Sequence, residues 1–255
     1  MEPIRIAVAG AAGRMGRTIV GCVSEDAECT LVGAIENPAH SSVGSDAALG
    51  ADRIGVAITD DWSVALRNAE ALIDFTTPAS SADLAEKAAK AGIVLVIGTT
   101  GFSEEQETRI LGAAERAVII KSGNMSLGAN LLAALVSRAA KILRDFDVQI
   151  VEMHHRTKSD APSGTALMLG QLVARARAVD APDAITRKDN IGYVSLRGGT
   201  VVGEHKVIFA GTHERIVLEH VAEDRSIFAR GAIAAAKWGR GRTPGLYTML
   251  DVLGF

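Results

Sequence analysis

The sequence predicts an α/β protein, a doubly wound parallel sheet followed by a second, mixed α+β unit. Three observations carry that expectation. The strand-like runs of the first half are short and apolar throughout, helical stretches separate them, and after Lys121 the texture changes to alternating strands. Strands without polar alternation are buried on both faces, and with helices between them they build a parallel sheet covered on both sides.

Taken in order, IRIAVAG (4–10) reads as the first strand, GRMGRTIVGCVSE (13–25) has helical spacing and TLVGAIE (30–36) is the second strand. ALIDF (71–75), IVLVIG (93–98) and AVIIK (117–121) repeat the apolar pattern. Between them SSADLAEKAAKAG (80–92) and SEEQETRILGAAER (103–116) are rich in helix formers. The second opens on Ser103 with acidic residues behind it, which a helix start favours. The segment 37–55 is small, polar and glycine-rich, and is expected to be a long, mobile loop. Beyond it, NLLAALVSRAAKIL (130–143) reads as a helix, FDVQIVEMHH (146–155) as a strand and TALMLGQLVARARA (165–178) as a helix. YVSLRGG, TVVGEHKVIFAG and ERIVLEHVA alternate or carry glycine at turns, as antiparallel strands with one packed face do. A further loop is expected near Asp180 to Asn190. The last helix, IFARGAIAAAKWG (227–239), matches the first half in texture. The first domain is therefore expected to be discontinuous, 1–126 with 227–255, around a second domain at 127–226.

Length and composition narrow the function classes. The 255 residues are 48% hydrophobic and 22% charged, an ordinary globular balance. With 27 Lys+Arg against 30 Asp+Glu the net charge is -3, so nothing favours a nucleic acid as partner. Cys22 and Cys29 form no CxxC pair and read as reduced thiols. Neither a secretory signal nor an apolar run long enough to cross a bilayer is visible, so a soluble, cytoplasmic protein is expected.

VAGAAGRMGR (8–17) places Gly10, Gly13 and Gly16 three apart, between the first strand and the first helix. Glycine allows the tight turn and the close approach of backbone to a pyrophosphate, whose charge a helix N-terminus favours. Glu36, at the end of the second strand, stands where ribose hydroxyls are accepted. The first domain is thus expected to be Rossmann-like and to bind NADH or NADPH. Asn37 follows Glu36 where a cationic fork would be needed for a 2′-phosphate, which leans the preference toward NADH, although Arg14 or Arg17 could reach that phosphate. DFTTP (74–78) and GTTGFS (98–103), at the ends of later strands, are where the nicotinamide half should rest.

The stretch EMHHRTKSDAPSGTA (152–166) gathers two histidines and a lysine immediately before a helix start. Neighbours on a strand point to opposite faces, so His154 and His155 do not suit one metal, and no metal is expected. Ser163 and Pro162 are good helix openers, which accounts for Asp160, Pro162 and Ser163 but not for the basic residues. Lys158 with the amides of Gly164 and Thr165 would cradle a carboxylate, and a histidine could supply or steer a proton.

This stretch resembles the signature of the dihydrodipicolinate reductase family. The likeness extends through VAGAAGRMGR, DFTTP, GTTGFS, SGNMSLGAN (122–130), GEH (203–205) and the ending GLYTMLDVLGF (245–255). The resemblance implies a homotetramer whose nucleotide domain and α+β mixed-sheet substrate domain are joined by hinges, and hydride transfer from NAD(P)H to a cyclic unsaturated dicarboxylate in lysine and diaminopimelate biosynthesis. It implies that His154 exchanges a proton, that Lys158 is a second proton donor touching substrate, and that His155, Ser163, Gly164 and Thr165 bind substrate carboxylates. It implies a cofactor lining of Gly10, Ala11, Ala12, Gly13, Arg14, Met15, Glu36, Gly98, Thr99, Thr100, Ser122, Gly123, Asn124 and Met125. Asn37, Ala48 and Thr248 depart from residues common in the family, an arginine, a glycine and an aspartate. The rivals are another two-domain nicotinamide-dependent imine or keto-dicarboxylate reductase, and a non-catalytic dinucleotide sensor. His205, His213 and His220 read as strand-packing or interface residues.

Overall fold

The computed structural model describes residues 2–50, 52–179 and 191–255, so the loop expected near Asp180 to Asn190 lies outside the described residues. In chain order the elements are β1 (Ile4–Ala9), α1 (Arg14–Glu25), β2 (Cys29–Ile35), β3 (Ile58–Thr59), α2 (Trp62–Ala65), β4 (Ala71–Asp74), α3 (Pro78–Ala91), β5 (Val94–Ile97), α4 (Glu104–Ala114) and β6 (Val118–Lys121). They continue with α5 (Leu127–Ile142), β7 (Asp147–His154), α6 (Gly164–Arg177), β8 (Ile191–Arg197), β9 (Gly203–Ala210), β10 (Arg215–Ala222), α7 (Ser226–Gly239), β11 (Gly245–Tyr247) and α8 (Met249–Leu253). Two compact units result, Met1–Ser126 with Ser226–Phe255, and Leu127–Arg225.

The first unit is a seven-stranded sheet in the order β11-β6-β5-β4-β1-β2-β3, with every neighbouring pair parallel. Strand order reverses between β1 and β4, which opens a crevice at their carboxyl ends. Both faces of the sheet are packed. Ile6, Val8, Ile73 and Val96 meet α1 and α7 on one side, while Ala7, Leu72, Leu95 and Ile97 meet α3 and α4 on the other. Local chemistry sets the helix ends. Thr77 caps α3 with Pro78 in its first turn, and Gly92 closes it in the left-handed conformation. A capping box of Ser103 and Gln106 opens α4, with three glutamates in its first turn.

The described residues of the segment 37–55 are tied down more than expected. The Asp46 carboxylate accepts the amides of Ala48, Ile54 and Gly55, and backbone bonds tie Gly44 and Ser45 to Ile58 and Ala47 to Val56. Small and polar composition conceals this, because one carboxylate and backbone groups do the holding.

The second unit is a four-stranded sheet, β10-β9-β7-β8, packed on one face by α5 and α6. β9 is antiparallel to both β10 and β7, as the alternating pattern predicted. β8 differs: it runs parallel to β7. Parallel neighbours need a long crossover, and the connection through α6 supplies it.

Candidate functional site

In the first unit, β1 ends in a turn that Gly10 takes at φ +67°, a conformation costly for any side chain. A Cβ on Gly16 would stand 2.0 Å from the Gly10 carbonyl oxygen, so glycine is what lets α1 seat against the turn. The turn's own amides are largely used internally. Those of Ala11 and Gly13 donate to the carbonyls of Ile35 and Gly10, and that of Ala12 donates to Glu36 Oε2 at 3.0 Å. Glu36 Oε1 in turn accepts the Asn37 amide. Gly13, the cap of α1, offers no side-chain hydrogen bond to the first-turn amides. Arg14 is exposed, whereas Arg17 spends its Nε on the Ala12 carbonyl.

Beyond the turn lies a cavity of about 580 Å³ whose lining includes Gly10, Gly13, Glu36, Asn37, Trp62 and Thr77. Glu36, Asp60 and Asp83 against Lys87 make it net acidic, and the Lys87 ammonium sits 4.5 Å over the Trp62 ring. A smaller cavity of about 290 Å³ follows at the ends of β4 and β5, lined by Met15, Thr76, Gly98, Thr99 and Thr100 among others. A Cβ on Gly98 would meet the Phe75 ring at 2.3 Å. Thr99 Oγ1 is buried without a hydrogen-bond partner among the described residues. Asp74, wholly buried, holds Thr76 through Oδ1, and burial pushes its carboxyl up against the opposing bonds from Thr76. After β6, Ser122 Oγ donates to the Asn124 carbonyl, Asn124 Oδ1 accepts the Ser126 amide, and Met125 is buried beneath. The turns that carry Gly10 to Met15, Gly98 to Thr100 and Ser122 to Met125 thus lie at the carboxyl ends of β1, β5 and β6, and Glu36 follows β2.

In the second unit, His154 ends β7 and His155 leads into the loop, where its Nδ1 meets Thr157 Oγ1 at 2.8 Å. The Lys158 ammonium rests on Asp160 at 2.7 and 2.8 Å. Asp160 therefore does more than open the helix; its carboxyl is held low chiefly by that bond. Ser163 caps α6, its Oγ accepting the Ala166 amide, and space around the Gly164 Cα is open. Ser163, Gly164 and Thr165 thus form a helix start behind a loop that carries one ammonium and one imidazole.

Three groups at this site were not singled out from sequence. Glu152 is 1% exposed, and its carboxylate takes both arms of Arg197 at 2.8 and 2.9 Å and His154 Nδ1 at 2.5 Å. The Ser163 amide donates to it as well, at 3.3 Å. Burial alone would raise its pKa, but the bonds from Arg197 and His154 are among those that outweigh this and bring it to about 2. Arg197 also holds the Asp160 carbonyl. His205, read as a packing residue, is indeed buried, and its Nε2 lies 2.9 Å from Ser163 Oγ. Burial, then the neighbouring His154, lowers its pKa to about 4, so it stands neutral. Glu152 was legible in principle, two positions before His154 and hence on the same strand face. Arg197 and His205 come from other strands, in register with His154 and Glu152, and no local spacing announces that. His220 packs its ring against Gly128, and His213 sits in the turn between β9 and β10 at φ 68°.

This arrangement has relatives. The family model described as dihydrodipicolinate reductase, N-terminus, matches residues 4–125, and that described as dihydrodipicolinate reductase, C-terminus, matches residues 128–253. A 4-hydroxy-tetrahydrodipicolinate reductase of Beijerinckia indica subsp. indica is 53% identical, over 100% of this chain and 98% of its own. The enzyme of that name from Brucella abortus is 52% identical over 98% of each chain. Among solved structures, a dipicolinate-bound dihydrodipicolinate reductase from Paenisporosarcina sp. TG-14 superposes with a TM-score of 0.83 at 26% identity, covering 98% of both chains. With both halves matched and identities above half across the chain, the protein belongs to the dihydrodipicolinate reductase family, nicotinamide-dependent oxidoreductases.

Proposed function

We propose that the chain catalyses the NAD(P)H-dependent reduction of 4-hydroxy-tetrahydrodipicolinate to tetrahydrodipicolinate, in which the ring gains a hydride and a proton and loses its 4-hydroxyl as water, a step of lysine and diaminopimelate biosynthesis. The observation that carries the reading is the second unit's cluster of Lys158, His154 and the Ser163-capped start of α6. It offers a cation, a helix start with its positive end and a proton-exchanging ring to a small cyclic dicarboxylate, in a family with a dipicolinate-bound member.

The first unit suits a dinucleotide. A turn that only glycine can form, uncapped amides at α1, an acidic ribose partner in Glu36 and the orphan Thr99 hydroxyl are the groups it needs. The Ala11 and Ala12 amides, already used, shape the turn, while Arg14 and Met15 amides take the pyrophosphate. Gly98, Thr99, Thr100 and the Ser122 to Met125 turn receive the nicotinamide half. When bound, the reduced nicotinamide supplies a hydride to an electron-poor ring. NADH is the preferred form, because Glu36, Asp60 and Asp83 outnumber Lys87 around the adenosine cavity and would repel a 2′-phosphate.

In the second unit Lys158 leaves Asp160 for a substrate carboxylate and can donate a proton. Gly164 and Thr165 hold a carboxylate at the start of α6, which the buried Ser163 caps through bonds to Ala166, Glu152 and His205 rather than touching substrate itself, His155 adds a further contact, and His154 exchanges the proton that quenches charge on the ring. The sheet face of this unit opposite α5 and α6 carries exposed Val194, Leu196, Val217 and Val221, with no helix of the same unit over it among the described residues. Other copies of the chain cover that face, giving a homotetramer. No described helix is long and apolar enough to cross a membrane, and Cys22 and Cys29 form no disulfide, which supports a cytoplasmic enzyme.

The test is direct. Purified protein mixed with freshly generated 4-hydroxy-tetrahydrodipicolinate should consume NADH faster than NADPH, read from nicotinamide absorbance. No consumption of either cofactor would reject the reductase reading, and faster use of NADPH would reject the preference.

A further inference from the structure

We propose that Glu152, clamped by the Arg197 guanidinium, is a positioning residue for His154: it keeps a proton on Nδ1, so that Nε2 is the atom which exchanges a proton with substrate. The proposal rests on the role given to His154 above and assigns the two groups that make that role possible.

The geometry leaves little freedom. Four donors converge on one buried carboxylate, with Arg197 Nη2 and the Ser163 amide on Oε1, and Arg197 Nη1 and His154 Nδ1 on Oε2. A carboxylate so placed is ionised and only accepts, so the hydrogen between it and the ring belongs to Nδ1. The other ring nitrogen is kept accessible. A Cβ on Gly203 would stand 3.0 Å from His154 Nε2, and only glycine leaves that edge clear. The ring plane is set by an edge contact with His205, centroids 5.2 Å apart at 75°. Arg197 adds a second constraint by holding the Asp160 carbonyl, which ties the Lys158 loop to the same carboxylate. A buried group that orients a histidine through its second nitrogen is a general device in proton-transfer sites.

Glu152→Gln cannot reproduce the arrangement. Whichever way the amide turns, its NH2 faces Arg197 and one other donor or the ring nitrogen. Where it faces Nδ1, the neutral ring must carry its proton on Nε2 instead. Arg197→Lys keeps the charge and loses the fork.

The experiment uses the intact chain with 15N-labelled histidine. Long-range 1H–15N spectra in mildly alkaline buffer, with His154 assigned by comparison with His154→Gln, report which ring nitrogen is protonated. In the parent protein the expected result is Nδ1–H with bare Nε2, and Nε2–H there would overturn the proposal without reference to turnover. Glu152→Gln should move the signature toward Nε2–H and lower kcat about 10²-fold, the scale of a lost acid or base, with unchanged Kd for NADH. Arg197→Lys should lower kcat less and keep Nδ1–H. A folded Glu152→Gln within threefold of the parent kcat would overturn the proposal. If that variant does not fold, the parent tautomer decides alone. Absence of any reductase turnover in the parent protein is a different outcome, and removes the reading beneath.

Discussion

Lys158 and Asp160 show how much one side chain's partner matters. The Asp160 side chain is 59% exposed, so its pair with Lys158 contributes under about 1 kcal/mol and a substrate carboxylate can displace it. Asp160→Asn removes that competitor while leaving the loop carbonyl bond to Arg197 in place. Steady-state kinetics should give a lower KM for the dicarboxylate, by up to about fivefold, the factor that 1 kcal/mol represents. A raised KM would show that Asp160 helps to place the ammonium rather than competing for it. Lys158→Ala should depress kcat by about 10²-fold or more while calorimetric NADH affinity stays at the parent value, since Lys158 belongs to the second unit's site. Equal losses in both measurements would contradict this division of labour. These residues were legible because their chemistry is dense and local: two imidazoles and an ammonium within five positions. Arg197 and His205 were not, because β-sheet register, and not sequence spacing, brings them to Glu152 and His154.

Among the elements, α1 and its turn offer a controlled comparison. A Cβ on Gly16 would collide with the Gly10 carbonyl at 2.0 Å and with the Ala11 Cα at 2.8 Å, all backbone, so α1 would have to move off the turn. Gly21, in the same helix, has open space around it. Gly16→Ala should destabilise by about 1–3 kcal/mol and weaken NADH binding about tenfold or more, whereas Gly21→Ala should stabilise by about 0.5–1 kcal/mol. Thermal unfolding and cofactor titration of the two variants check this, and matching behaviour would show that the turn does not depend on helix proximity. The short apolar strands and periodic helices were readable in advance because β1, β4, β5 and β6 are buried on both faces and leave little room for polar residues, so their unbroken apolar runs stand out. β3, α2, β11 and α8 escaped because they run two to five residues, too short for a period to register. The direction of β8 escaped because alternation reports that one face is buried and says nothing about which way a neighbour runs.

At the scale of the whole molecule, the response to acid and the proposed assembly are both tested on the second unit. His205 has a pKa of about 4 in the fold against 6.5 for the unperturbed ring, so the fold favours the neutral form. Its contribution is present above pH 6.5 and is lost as pH falls toward 4, reaching about 2 kcal/mol of loss by pH 5. His220, lowered by burial, acts in the same direction. Urea unfolding at pH 7 and pH 5 should therefore show a smaller difference for His205→Gln than for the parent, and an identical difference would exclude His205 as a source. The proposed homotetramer is tested on the sheet face opposite α5 and α6, which no described helix of this unit covers and whose edge strands expose valine and leucine side chains, on β10 alongside the charged Arg215 and Glu219. On β8, Val194 and Leu196 are 44% and 46% exposed and lie beside Val151 and Met153 of β7. On β10, Val217 and Val221 are each 48% exposed, beside Ile208 and Glu204 of β9. Such a face, with both edge strands carrying β-branched and leucine side chains into solvent, invites burial against copies of itself. Replacing Val194 and Leu196 by arginine would bury charge without a partner at that contact. Sedimentation velocity should then show the parent as one species near four chain masses and the double variant as smaller species, with far-ultraviolet circular dichroism unchanged. A parent that sediments as a monomer, or a double variant that sediments like the parent, would mean that copies of the chain do not meet through this face.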